Sequence, residues 1–209
     1  MSTKSVTIGI AAILVIGIAI IAITSMGDHG DSMDSAETDG AFIVEMTPHH
    51  EAAVGMAEIA TREAEHPETK ELARAIIAAQ NKEIDELAAI HTDLFGMPVS
   101  KGEHGSLGME AHEMGMDGDA TMLASEKPFD RAFIDMMIPH HQGAIRMARV
   151  ELESGEDERL MSLSEEIIDA QSREIDEMNA WREEWYGSPS PAGGIPAEEE
   201  APDHEMMGH

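Results

Sequence analysis

Two segments of the chain each place a pair of adjacent histidines between methionines. The first reads FIVEMTPHHEAAVGMA over residues 42–57, and the second reads FIDMMIPHHQGAIRMA over residues 133–148. Thioether sulfur is a soft, neutral ligand that suits Cu(I), whereas imidazole binds both Cu(I) and Cu(II), so Met with His is a copper-like ligand set. The residues concerned are Met46, His49, His50 and Met56 in the first segment, and Met137, His140, His141 and Met147 in the second.

The two segments belong to a longer internal repeat. A constant offset of 91 residues, as from His49 to His140, aligns residues 39–96 with residues 130–187 without a gap. Of the 58 aligned pairs, 23 are identical. Self-similarity of this kind indicates one structural unit that occurs twice in the chain.

The first helix of each repeat must carry the histidines. At about 100° per residue, Met46 lies between His49 and His50 around a helix, so all three share one face. The sequence predicts a helix from an N-cap at Asp39 to about residue 65. Pro48 would then lie inside the helix and kink it just before the histidines, as Pro139 would in the second repeat. Alternatively, the helix starts at Thr47, and Pro48 occupies N1, the first-turn position that proline favours.

The second helix of each repeat, over about residues 68–94 in the first copy, mixes polar side chains into its apolar stripe. Gln80 and Glu83 share the stripe, and a buried amide or carboxylate needs a hydrogen-bond partner. The facing histidines are candidates, because such partners fix the orientation and tautomer of a ligating imidazole. Alternatively, Glu83 pairs with Lys82 or an arginine at the edge of the fold. The repeat places Gln171 and Glu174 at the equivalent positions.

Each repeat is one helical hairpin, too small to bury both of its faces alone. Two hairpins predict an all-α four-helix bundle. The predicted segments are a transmembrane anchor or signal segment at 1–27, a flexible stalk at 28–38, the first repeat at 39–96, a Met/His-rich linker at 97–128, the second repeat at 129–187 and a disordered tail at 188–209.

The N-terminal segment favours a transmembrane helix. Residues 5–27 carry no charge, and about 20 apolar residues suffice to cross a bilayer. Lys4 is the only charged residue before the segment and acidic residues follow it, which predicts that the body lies outside the cytoplasm, periplasmic or at the cell surface. The alternative is a cleaved signal peptide, in which case the protein is secreted.

The linker and the tail repeat the same two ligand types. With no predicted core there for methionines to fill, we expect these segments to capture metal ions as auxiliary sites, the alternative being chance composition in solvated chain. The residues are His104, Met109, His112, Met114 and Met116 in the linker, and His204, Met206, Met207 and His209 in the tail.

The charge of the chain excludes one class of partner. The chain has 42 acidic and 13 basic side chains, for a net charge of −29, and nucleic-acid binding requires the opposite sign. Such acidity either attracts cations or suits a salty environment. Without cysteine, any soft-metal site must use Met and His.

The pattern PHHxxAxxMA, followed by AQNKEIDEL in the first repeat and AQSREIDEM in the second, resembles the domain of unknown function 305 family over about residues 39–187. The resemblance implies a ferritin-like fold and copper binding outside the cytoplasm, as in the CopM-like members of that family. It also implies a ligand role for Met136. The first repeat has Glu45 at the position of Met136, so its site would be poorer in thioether. The other matching residues are Met46, His49, His50, Met56, Met137, His140, His141 and Met147.

The leading hypothesis is a membrane-anchored, extracytoplasmic protein that sequesters copper or transfers it to a copper-handling protein, with Cu(I) favoured over Cu(II) and without enzymatic turnover. One alternative is a structural or interaction module of the cell surface, in which the histidines are core polar groups bonded to Gln80, Glu83 and their repeats. The other alternative is a ferritin-like di-iron oxidase. Its Glu-x-x-His motif is missing, because Met46 and Met137 stand three residues before His49 and His140.

Overall fold

The computed structural model describes residues 35–99, 107–116 and 120–197. These residues contain no strand and form a four-helix arrangement, as predicted. The first hairpin is made by α1 and α2, the second by α3 and α4, and the two hairpins pack chiefly through α1 and α3. The elements are α1 (Ser35–Glu63), α2 (Pro67–Phe95), a short 3₁₀ helix (Ala120–Ser125), α3 (Phe129–Ser154) and α4 (Glu158–Tyr186).

The membrane prediction concerns a part of the chain beyond these ranges. Among the described residues, no helix combines the length and the apolar character needed to cross a bilayer. The predicted anchor or signal segment at 1–27 and residues 28–34 of the predicted stalk lie outside the described residues.

Helix α1 begins earlier than predicted. It starts at Ser35, so Asp39 is not its N-cap and residues 35–38 are helix rather than stalk. Burial explains the difference: Thr38 and Asp39 are only 0% and 2% exposed, so these polar residues lie against the second hairpin rather than in solvent. The acidic and serine-rich composition of the segment gave no indication of that contact.

The two repeats cap each other's turns. Asp130, at the start of α3, accepts two backbone N–H groups of the α1–α2 turn at 2.8 and 3.1 Å. Asp39 in turn accepts two N–H groups of the α3–α4 turn at 2.9 and 3.4 Å. These carboxylates satisfy N–H groups at the N-caps of α2 and α4 and at the residues just before them, so each hairpin stabilises the turn of the other. The donors are Glu65 and His66 for Asp130, and Glu156 and Asp157 for Asp39.

Both prolines lie inside helices. Pro48 is within α1 and Pro139 is within α3, so the alternative of a helix starting at Thr47 is wrong. A proline inside a helix destabilises it by about 3 kcal/mol. Burial of Phe42 and Ile43 in the preceding turns stabilises the folded protein by roughly 1.5–3 kcal/mol for each side chain. Packing of the upstream turns therefore outweighs the lost backbone bond. The kink at each proline stays a prediction.

Two apolar clusters form the core and flank the histidine pairs. One contains Met56 and Met137, and the other contains Met46 and Met147. Because each histidine pair is preceded by a methionine of one cluster and followed by a methionine of the other, α1 and α3 run in opposite senses past the histidines. The four imidazoles consequently form a polar layer between two apolar ones.

The linker and the start of the tail pack more closely than predicted. Leu107 and Leu123 are buried, and Met109 and Met114 contact the cluster that contains Met46, so the expectation that no core exists for linker methionines is wrong for these two. Residues 188–197, predicted as disordered tail, pack on α3 and α4. Gln142 donates its amide to the carbonyls of two residues in this segment, at 2.6 and 2.9 Å.

Candidate metal centre

The two histidine pairs meet at the interface between α1 and α3. All four imidazoles are buried, with exposures of 0–3%. The ring centroids of His49 and His140 are 3.7 Å apart, whereas the neighbours within each pair are 6.3 and 6.5 Å apart. The pairs therefore form one histidine layer, in which His49 and His140 face each other at the centre, and His50 and His141 lie on the outer sides.

Hydrogen bonds assign the tautomers of two of these histidines. Nε2 of His49 donates to the carbonyl of Met114 at 2.9 Å, and Nε2 of His141 donates to the carboxylate of Glu174 at 2.7 Å. A neutral imidazole that donates from Nε2 keeps a lone pair on Nδ1. In both rings this Nδ1 is buried and has no hydrogen-bond partner among the described residues. Each ring thus presents one free nitrogen of the kind that binds a metal.

The outer histidines have equivalent carboxylate neighbours. Nε2 of His50 lies 2.7 Å from Glu83 Oε2, at ion-pair distance although outside hydrogen-bond geometry, and its Nδ1 also lacks a partner among the described residues. Lys82 lies near Glu86 instead, at 3.9 Å, so the structure brings Glu83 to the histidine rather than to the lysine. The imidazole–carboxylate pairs at His50 and His141 have the arrangement that orients ligating histidines in metal sites.

The central histidines are held neutral. Burial, followed by the neighbouring His50, lowers the pKa of His49 to about 3. Burial and the neighbouring histidines also hold the pKa of His140 well below its usual value, against a weaker opposing effect of a backbone hydrogen bond at His49. Only neutral imidazole has a lone pair for a metal, so both rings are in the ligating state across the physiological pH range.

The polar groups alone do not complete a metal site. Within the described ranges, no three His, Asp or Glu side chains come together in a way that could hold one ion. Any metal here must therefore take further ligands from neutral donors. The thioethers on both sides of the histidine layer are such donors, since Met46, Met137 and Met147 are fully buried and Met56 is 3% exposed.

The remaining predicted residues lie at different distances from the centre. Met136 is partly buried against the apolar cluster of Met137, and Met109 and Met114 contact the cluster of Met46 and Met147. Gln80 and Gln171 are each 3% exposed, with Oε1 unpartnered among the described residues. His112 and Met116 are exposed. Outside the described residues lie His104, His204, Met206, Met207 and His209.

The linker covers the histidine layer, which sequence reasoning did not anticipate. Besides the hydrogen bond that His49 donates to the carbonyl of Met114, the backbone N–H of Leu107 donates to Glu45 at 3.2 Å. A Cβ on Gly143 of α3 would lie 2.0 Å from the carbonyl oxygen of Met114, so only glycine permits this approach. The sequence did contain one indication of this close approach: the first repeat has Ala52 at the position where the second has Gly143, and an isolated glycine inside a helix often has a packing reason.

Gly143→Ala is expected to loosen this cover. The added methyl group would overlap the linker backbone, which cannot yield as a flexible side chain would, and the cost should be about 1–3 kcal/mol of unfolding free energy. Urea unfolding of the metal-free protein measures it. Gly55→Ala on α1 is the matched control, because a Cβ there meets nothing within 4 Å and should be neutral or stabilising. Equal stability changes in the two variants would contradict close packing of the linker on α3.

The sequence matches the family model described as a domain of unknown function (DUF305) over residues 39–182, and again over residues 130–209. Among solved structures, CopM in its Cu(II)-bound form is 42% identical, with 71% of this chain and 97% of that chain covered and a TM-score of 0.64. CopM in its Cu(I)-bound form is also 42% identical, covering 71% and 98% with a TM-score of 0.62. A DUF305 protein from Streptomyces coelicolor shares the fold, at 23% identity, 75% and 98% coverage and a TM-score of 0.66. A search of curated proteins found no match.

Proposed function

The chain belongs to the DUF305 family, and from this premise we propose that it binds copper outside the cytoplasm and sequesters it or hands it on, without turnover chemistry. The observation that carries the proposal is a set of buried imidazole nitrogens at the α1–α3 interface, Nδ1 of His49, His50 and His141, that lack a hydrogen-bond partner among the described residues and have buried thioethers on both sides. A buried polar group without a partner costs about 1–3 kcal/mol, so a ligand that satisfies several of them together binds favourably.

The donor set favours copper, and Cu(I) in particular. With no cysteine in the chain, and no group of carboxylates in the described part that could hold a metal ion, the available ligands at the histidine layer are neutral imidazole and neutral thioether. Soft, neutral donors suit Cu(I), whereas Mg²⁺ and Ca²⁺ require oxygen ligands. The carboxylates of Glu83 and Glu174 would orient the outer rings rather than bind the ion.

The solved relatives support the same metal. CopM, which is 42% identical, has been crystallised with Cu(I) and with Cu(II), and at 41% identity also with silver. Ag(I) is a soft cation that prefers the same thioether and imidazole donors as Cu(I). This chain keeps both donor types at the equivalent positions of its two repeats, so a copper-handling role is the one that its residues fit best.

The arrangement suits storage or transfer better than redox catalysis. A ferritin-like di-iron centre needs Glu-x-x-His motifs, and Met46 and Met137 occupy the positions three residues before His49 and His140. We place the protein outside the cytoplasm, held at the membrane by residues 1–27 or secreted after their removal. There it would meet copper before the ion reaches the cytoplasm, and pass it to a copper-handling partner or retain it.

A Cu(I) titration of the purified protein against a competing chelator tests the proposal, with thermal unfolding recorded alongside and Zn(II) as the control metal. A ligand that binds only the folded state stabilises it by about 4 kcal/mol at 1,000 times its Kd, so Cu(I) should raise the Tm by several degrees. Zn(II) should have a smaller effect, because thioether is a poor ligand for it.

Two results would contradict the proposal. Copper uptake without a rise in Tm would move binding to the Met/His segments beyond the bundle. No uptake at all would favour the alternative in which the histidines are core polar groups of a structural module.

A further inference from the structure

A cleft of about 440 Å³ opens between α2 and α4, on the side of the bundle away from the linker cover. These two helices contact each other at few positions, since the hairpins meet mainly through α1 and α3. The resulting gap is lined by both charged and apolar side chains of the two helices. They include Glu68 and Glu71 from α2, and Arg173, Glu174, Glu177 and Trp181 from α4.

The inner wall of the cleft touches the histidine layer. Glu174 lines the cleft and is 18% exposed, and its carboxylate accepts the hydrogen bond from His141 at 2.7 Å. The imidazole of His141 is itself fully buried, with its Nδ1 unpartnered among the described residues. One carboxylate side chain therefore separates solvent in the cleft from a buried ligand of the candidate metal centre.

The charges of the cleft favour cations. Four carboxylates and one guanidinium line it, and a concave surface of one sign focuses the electrostatic field. The internal repeat shows that this acidity is particular to one side. At the positions equivalent to Glu68 and Glu71, the second copy has Arg159 and Ser162. The approach to His141 is thus more acidic than the approach to His50.

We propose that the cleft between α2 and α4 is the entry route by which a copper ion reaches the histidine layer. Glu68, Glu71 and Glu177 attract the hydrated ion and hold it only weakly, because carboxylate is a hard ligand and the ion is soft or borderline. The ion then passes the side chain of Glu174 and exchanges oxygen ligands for imidazole and thioether. This inference rests on the proposed function, since it assumes that copper binds at the histidine layer.

The chain carries its own optical reporter for this route. Its two tryptophans, Trp181 and Trp185, stack with ring centroids 5.4 Å apart, and Trp181 lines the cleft. Paramagnetic Cu(II) quenches nearby indole fluorescence, so stopped-flow mixing of the full chain with Cu(II) records the arrival of the ion. A chelator pulse at increasing delays measures how fast copper becomes protected, which reports its entry into the buried centre.

The triple variant E68Q/E71Q/E177Q is expected to slow protected uptake about tenfold at low ionic strength and to lose most of the salt dependence. Its final copper stoichiometry should equal that of the unaltered chain, because none of these three carboxylates pairs with an imidazole among the described residues. The matched control is E58Q/E63Q/E165Q, which removes the same charge from exposed positions that do not line the cleft. Its uptake rate should stay within about twofold of the unaltered rate.

Four outcomes would overturn the route. The cleft variant could take up copper at the unaltered rate, or the control could be slowed as much as the cleft variant. In either case normal stoichiometry leaves the proposed function intact. If the unaltered chain protects neither Cu(II) nor Cu(I) from the chelator, or protects copper equally after all four histidines are replaced, the proposed function and the entry route both fail.

Discussion

Replacing His49, His50, His140 and His141 together by Gln is expected to lower the affinity of the bundle for Cu(I) by at least about 100-fold. Glutamine keeps much of the volume and polarity of histidine, and its amide can still donate to Glu83 and Glu174. It lacks the imidazole lone pair that a soft ion requires. Loss of outer-shell partners alone typically costs about 10–100-fold in metal affinity, so loss of the ligands should cost at least as much.

Competition against a Cu(I) chelator measures the affinity, and urea unfolding of the metal-free variant checks that the bundle is intact. The matched control replaces two histidines outside the layer and outside the auxiliary Met/His segments, His66 and His91, by Gln. His91 is buried and bonded to the carbonyl of Met97, which makes it a fair control for burial as well as for residue type. An unchanged Kd and stoichiometry in the four-histidine variant would exclude the histidine layer as the copper site.

Contacts inside one hairpin could be predicted from the sequence, because periodicity determines them. The inward face shared by Met46, His49 and His50 follows from helical spacing alone. So does the approach of Glu83 to the histidines of the neighbouring helix, since antiparallel helices joined by a short turn must face each other. The second repeat supplied the same evidence a second time, which is why the hairpins and their polar stripes were predicted together.

Contacts between the hairpins could not be predicted in this way. Asp39 reads as an N-cap because it precedes an apolar run, yet it caps a turn that lies 117 residues further along the chain. No local pattern encodes that distance. The hydrogen bond from His49 to the carbonyl of Met114 is harder still to predict, because every residue has a backbone carbonyl and the sequence does not indicate which one accepts. Positions where the two repeats differ, such as Ala52 and Gly143, were the available signals.

Glu151 is another position where the repeats differ. It is fully buried in α3 and stands where the first repeat has Ala60. The space for its side chain comes from Gly155, since a Cβ there would lie 2.2 Å from Glu151 Oε1, and the first repeat has Ala64 at the equivalent position. Burial, and secondarily the adjacent Asp39, raises the pKa of Glu151 to about 8. The second repeat therefore has a buried glutamate at a position where the first repeat has none.

Glu151→Gln is expected to remove a loss of stability that the unaltered protein suffers as the pH rises. The pKa of the Glu151 carboxyl is about 8 in the folded protein, against an ordinary value of 4.5. Below about pH 4.5 both states hold the proton, so the group contributes no pH dependence there. Between pH 4.5 and about 8 folding must take up a proton, and the unfolding free energy falls as the pH rises through this window. Above about pH 8 the full cost is present.

Because the amide of the Glu151→Gln variant does not titrate, its advantage over the unaltered protein should grow from near zero at about pH 4.5 to on the order of 3 kcal/mol at about pH 8. Urea unfolding at about pH 5, 6.5 and 8 measures the difference. Glu153→Gln, on the same helix but exposed, is the matched control and should follow the unaltered protein. Parallel curves for Glu151→Gln and the unaltered protein would mean that the buried carboxyl is not protonated at neutral pH. The folded protein would then hold a buried Glu151 carboxylate beside two further carboxylates, Asp39 and Asp157. Repulsion between these negative charges makes that ionised state unfavourable, which is why we expect the protonated form.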